Sequence, residues 1–167
     1  MRILALCILL CGQFLGATAL AQQENPHAQT AFCDFEDQQQ ISVRYNNSVA
    51  GSQDEPHNGK VWLPAGSPLT LFTAVPLTLN QAPIAPGAYS IYIIPNKKNW
   101  TLIVNRNVTA ANTYDEKQDV ARSSKELGEV DSPPKQLEVS FAHTAPKQCS
   151  IRLYYGKIGA FAEFNEQ

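Results

Sequence analysis

Apolar and polar side chains alternate with a period of two along much of the chain. Ile41, Val43 and Tyr45 alternate with Ser42 and Arg44, and Leu69, Leu71 and Thr73 with Thr70, Phe72 and Ala74. Leu137, Val139 and Phe141 alternate with Glu138, Ser140 and Ala142, and Ile151, Leu153 and Tyr155 with Arg152 and Tyr154. Successive side chains of an extended chain point to opposite faces, so each run predicts a half-buried strand. Pro76 breaks one run before Leu77 and Leu79, and Gly156 and Gly159 precede a last apolar run over 160–164. The 11 prolines and 9 glycines fall largely between the runs, as turn residues should. No window reads as an amphipathic helix. The expected fold is all-β, an antiparallel β-sandwich or barrel-like domain with one long loop region.

Residues 85–105, "APGAYSIYIIPNKKNWTLIVN", predict a hairpin within that domain. Pro86-Gly87 is a turn signal, and Gly87 can take a positive φ as the chain enters the strand. Tyr89, Ile91 and Ile93 then face one side, and Ser90, Tyr92 and Ile94 the other. A five-residue loop, 95–99, leads to Trp100, Leu102 and Val104 on the return strand. Two roles compete for the aromatic residues: a core cluster packed across the strands, or a surface on which a ligand stacks. Residues 105–135 are polar and charged, without clear periodicity. They predict a solvated loop with one short helix or strand near 119–127, and long loops of this kind often carry function.

The N-terminus adds a compartment. Arg2 precedes the apolar run 3–10, and Ala19-Leu20-Ala21 forms a small-x-small site, the pattern of a secretory signal peptide cut after Ala21. The apolar core is interrupted by Gly12, Gln13 and Gly16 and is too short to span a bilayer. The predicted organisation is a signal peptide over 1–21, a flexible lead-in over 22–30 and a single β domain over 31–167. Export places the mature protein in the periplasm or outside the cell. Cys7 and Cys11 leave with the signal, and the remaining pair, Cys33 and Cys149, reads as one disulfide in an oxidising compartment. Closing so long a loop contributes roughly 4–5 kcal/mol in the chain-entropy model. A redox or metal-binding role for the pair lacks both C-x-x-C spacing and a nearby histidine.

With 13 basic and 15 acidic side chains the full chain carries a net charge of −2, and loss of Arg2 moves it one unit further. That balance gives no electrostatic basis for binding nucleic acid. No later segment is long and apolar enough to be a transmembrane helix.

The hairpin resembles the core signature of the DUF2911 family, exported bacterial proteins without an assigned activity. That signature runs roughly "lpaGkYsLftiP…eWtviln", and Gly87, Tyr89, Ser90, Pro95 and Trp100 fall on it. Upstream, "NGKVW" matches at Gly59, Lys60 and Trp62; downstream, "YDEKQDVAR" matches a Tyr…Asp-x-x-Arg element at Tyr114, Asp119 and Arg122. The resemblance spans about 58–141. It implies Lys60, Trp62, Tyr114, Asp119 and Arg122 as ligand-binding candidates. The chain departs from the family pattern over 63–70. There Arg-x-Gly-Ala-Asn-Glu-Ala-Thr gives way to "LPAGSPLT", with Leu63, Ser67 and Pro68 replacing the Arg, Asn and Glu.

Other chemistry is sparse. Asp54, Glu55 and His57 are metal-compatible types, but Pro56 sets them in a loop where they need not converge. Asp119 and Arg122 read either as an ion pair pinning the long loop or as a grip on a polar ligand with Tyr114 and Lys60. Ser132 to Lys135, "SPPK", fits a serine-x-x-lysine pattern, but its two prolines oppose the helix that such a pair needs. No nucleophile elbow, zinc-protease helix, phosphate loop or dinucleotide fingerprint is present, and no cofactor is expected. The leading expectation is an exported, non-catalytic binding or envelope-associated module whose partner is a small molecule, a glycan or a protein. The alternative is a hydrolase-type or sugar-modifying enzyme with a loop-built cleft around Tyr114, Asp119 and Arg122.

Overall fold

The computed structural model describes residues 28–49, 55–109 and 113–167. The expected signal peptide over 1–21 lies outside them, as does Asp54. Among the described residues two antiparallel sheets face each other as a sandwich. The first is ordered β1 (Ala28–Asp34), β2 (Gln40–Asn46), β3 (Leu69–Thr73), β6 (Gly87–Pro95), β7 (Asn99–Asn105) and β8 (Asp119–Glu126). The second is ordered β10 (Glu138–Ala145), β11 (Gln148–Tyr155), β12 (Ile158–Glu166), β4 (Leu77–Leu79) and β5 (Ala82–Ile84), with the short β9 (Gly128–Glu129) also paired to β12. The sheets do not close into a barrel.

The alternating runs supply the core as expected. Ile41, Val43, Leu69, Leu71, Ile91, Ile93, Leu102 and Val104 point inward from the first sheet. They meet Leu77, Leu79, Ile151, Leu153, Ala162 and Phe164 from the second. Burying each large aliphatic or aromatic side chain contributes about 1.5–3 kcal/mol. Cys33 of β1 and Cys149 of β11 form a disulfide across a sequence separation of 116, tying the two sheets together.

The hairpin packs as core. Its register pairs Ile91 with Val104, Ile93 with Leu102 and Pro95 with Trp100; β6 ends at Pro95 and β7 starts at Asn99, so three residues, 96–98, connect the strands rather than five. Asn96 N donates to Asn99 O at 2.9 Å to close it. Gly87 has φ 151°. Trp100 is only 5% exposed and meets Trp62 edge-on at 5.3 Å. Trp62 in turn meets Tyr155 of the opposite sheet at 4.8 Å. Trp62 also bridges to Ile93, on the edge of β6 beyond the end of β3.

One alternative is decided, and the start of the domain differs from the expectation. Of the short helix or strand expected near 119–127, the structure has the strand: Asp119–Glu126 pairs with β7 with one bulge between Val104 and Asn105, so the long loop shrinks to the stretch before it and the one after β9. The sandwich begins at Ala28, three residues inside the expected lead-in, because those residues pair with β2. β1 itself was not anticipated: Cys33 is its one fully buried residue, and an edge strand with so little buried surface shows no clean alternation.

Candidate functional site

The outward face of the first sheet carries an unusual row. The registers place Thr30, Arg44, Thr70, Ser90, Asn105 and Asp119 side by side across all six strands. With strands about 4.8 Å apart, Arg44 and Asp119 lie roughly 19 Å from each other along it. One half of the row is covered and the other half is open.

The covered half is held by Asn105, a fully buried amide. Its Nδ2 donates to Asp119 Oδ1 at 2.7 Å and to Asp115 O at 2.8 Å. Its Oδ1 accepts from Asn107 N at 2.9 Å. Ser90 Oγ donates to Asn107 O at 2.6 Å. A β-bulge between Val104 and Asn105 lets Asp119 face the same way as Asn105. Buried polar groups are stable only when their partners are supplied, and here the loop's own backbone supplies them.

Tyr114 completes the cover. Its ring lies 5.0 Å from that of Tyr92, and its hydroxyl donates to Asp119 Oδ2 at 2.9 Å. Arg122 donates through Nε to Asp119 Oδ2 and through Nη2 to the Tyr114 hydroxyl, both at 2.7 Å. The same Nη2 reaches Glu116 Oε1 at 2.8 Å. Burial, with the hydrogen bond to and charge of Asp119, pushes the Tyr114 phenol up to about 12. Burial also raises the Tyr92 phenol. A phenol held neutral and a carboxylate whose two oxygens already accept form a clamp on the loop.

The remaining candidates do not join this clamp. Trp62 is 4% exposed and belongs to the core. Lys60 is exposed and follows Gly59, whose N–H donates to Pro95 O, at the end of the hairpin away from Asn105. That end is about 20 Å from Asp119 by strand rise. Glu55 and His57 are exposed, and among the described residues no group of three His, Cys, Asp or Glu side chains could hold a metal ion.

The open part of the row, up to the buried Ser90 at the edge of the covered part, forms the floor of a cleft of about 350 Å³. Arg44, Thr70 and Ser90 lie on its floor, beside Phe72. One wall is Val108 and Thr109, from the clamped loop; the other is Asn46, Ser67 and Pro68. The second wall follows a 3-10 turn, Pro64–Gly66, in which Ala65 takes φ 53° and ψ 35°. Asn46 Nδ2 donates to Ser67 Oγ at 2.9 Å. Ser67 and Pro68 are two of the positions where the chain departs from the DUF2911 pattern, so the departure lines the cleft.

The DUF2911 family model, a protein of unknown function, matches residues 27–163. The chain belongs to this family. No curated protein and no solved structure matches it. Within the DUF2911 signature, Ser90, Tyr114, Asp119 and Arg122 hold the loop, while Trp62 and Trp100 fill the core. Arg44 and Phe72, which line the cleft, are not among the signature positions, whereas Asn105, which anchors the loop, falls on the last letter of the hairpin signature. A guanidinium on the polar phase of a strand looks like ordinary surface until the register sets it beside a wall.

Proposed function

We propose that this DUF2911 protein is an exported, non-catalytic binding module whose ligand occupies the cleft over Arg44, Thr70 and Ser90. One observation carries the reading. The clamp of Tyr114, Asp119 and Arg122 holds the loop whose Val108 and Thr109 form one wall, while the opposite wall is the segment in which this chain differs from its family. The hydroxyl, amide, guanidinium and phenyl groups of the cleft suit a small polar ligand or a glycan terminus. An enzyme around Tyr114, Asp119 and Arg122 would need a free acid or base; in the clamp all three are already engaged. The cleft is lined by none of them.

Export and a periplasmic or extracellular location belong to the same proposal. The disulfide supports it, and no helix of the described residues is long and apolar enough to cross a membrane. The test is a panel of metabolites and oligosaccharides screened by amide chemical shifts. The expected result is a ligand that moves the Arg44, Thr70 and Phe72 amides and is released unchanged. Arg152→Ala, on the outer face of the other sheet, should bind it normally. Turnover of the ligand, or shifts confined to the other sheet, would overturn the reading.

A further inference from the structure

Arg44 is the only cation among the described residues lining the cleft, and none of those residues is acidic. Its guanidinium makes no ion pair and no side-chain hydrogen bond with the described residues. Asp34, on the same face, is two rows away and accepts from Gln40 Nε2 at 2.9 Å. Where the family pattern has Glu, this chain has Pro68, so that wall carries no carboxylate. A single guanidinium with no such partner among the described residues matches a carboxylate or a phosphate in two parallel hydrogen bonds, and one cation balances the single charge of a carboxylate better than the nearly double charge of a phosphate monoester.

Aromatic surface lies beside this charge. The next row of the sheet runs Phe32, Ser42, Phe72 and Ala88. Phe32 is 59% exposed and Phe72 44% exposed, two of the few large apolar side chains left open to solvent. Ser42 lies between them in register, so the two phenylalanines stand on strands roughly 9.6 Å apart across a small floor. Beside the cleft these two rings offer apolar surface for a ligand to cover, and a phenyl face complements the C–H face of a sugar ring. The hydroxyls of Thr70, Ser67 and Thr109 offer partners for sugar hydroxyls. The volume lies near the lower end for small-ligand sites, which fits one or two rings rather than a long chain.

We infer that the ligand is a carboxylate-bearing sugar, a hexuronate, with its acid on Arg44 and its ring against Phe72. The inference rests on the reading of the cleft as a ligand site and adds its chemical class. The test uses digalacturonate, D-glucuronate, the methyl ester of digalacturonate, maltose and acetate, titrated against the full mature protein by calorimetry and amide shifts. At least one of the two acids should bind, with shifts at Arg44, Thr70 and Phe72. Esterification and Arg44→Gln should each weaken binding about tenfold or more, as loss of a charge-assisted pair implies. Phe72→Ala should weaken it too, and Pro68→Glu should abolish it. Equal binding of the ester or of maltose at the same amides overturns the carboxylate assignment and leaves the cleft standing as a site. Acetate binding as tightly as the acids overturns the sugar assignment alone. If neither acid binds the correctly folded protein, the inference fails; if no member of the wider panel moves those amides, the cleft reading fails with it.

Discussion

Arg122 Nε donates to Asp119 Oδ2 at 2.7 Å while its Nη2 donates to the Tyr114 hydroxyl at the same distance. An exposed ion pair of this spacing contributes little, about 0–1 kcal/mol. Here the Asp119 side chain is only 13% exposed, and its other oxygen serves the buried Asn105. Asp119→Asn should therefore destabilise the fold by about 1–3 kcal/mol and speed amide exchange in 106–109. Chemical denaturation and hydrogen exchange measure both. Unchanged stability would mean that the cluster does not pin the loop.

The Tyr114 phenol ties stability to alkaline pH. Its folded value of about 12 lies above the ordinary 10, so the fold prefers the neutral form. Its contribution is complete below about pH 10 and is lost as pH rises towards 12. Denaturation at pH 9 and pH 11.5 should show a larger loss in the wild type than in Tyr114→Phe, which has no proton to release. Equal losses in the two proteins would remove Tyr114 as the cause.

Trp100 is core by every measure of its surroundings. Trp100→Ala should cost about 3–5 kcal/mol, seen as a lower midpoint in thermal unfolding. Since Trp100 points away from the outer face, any protein that remains folded should keep the cleft amide shifts. Undiminished stability would return the hairpin aromatics to the surface.

Removing the disulfide with Cys33→Ser and Cys149→Ser should cost about 2–5 kcal/mol. Mass spectrometry of the exported protein should find the two cysteines joined. Free thiols there would contradict both the staple and the compartment inferred from it.

Ala65 sits at φ 53° and ψ 35°, a left-handed conformation that costs a residue with a Cβ about 1–2 kcal/mol. The family pattern has glycine at this position. Ala65→Gly should raise stability by about 0.5–1 kcal/mol, part of the relief being lost to a freer unfolded chain. A fall in the unfolding midpoint would show that the alanine methyl makes contacts outweighing its strain.

Period two was enough to reveal the sandwich and most of its inner face. Leu69, Leu71, Ile151 and Leu153 are all buried where the alternation puts them. The edge strand β1 was hidden because one sheet edge and one open face leave it little to bury. Residues 119–126 leave helix or strand open in the sequence because they run Asp-Val-Ala-Arg-Ser-Ser-Lys-Glu, and pairing with β7 makes them a strand. The clamp residues are visible as a motif; their partner Asn105 falls on the last letter of the hairpin signature, yet by pattern alone a polar residue ending an apolar run reads as a boundary. The cleft was less legible still. It joins Arg44, Thr70 and Ser90, far apart in sequence, and only the strand registers bring them into one line.

The bond between Cys33 and Cys149 also orders events in time. Cys33 stands near the start of the folded region and Cys149 follows it by 116 residues, so the first thiol waits for almost the entire domain. β11 carries the partner, set between β10 and β12 in the second sheet. Oxidation therefore samples the chain far past its middle: any product cut short before residue 149 keeps Cys33 as an open thiol with no native partner.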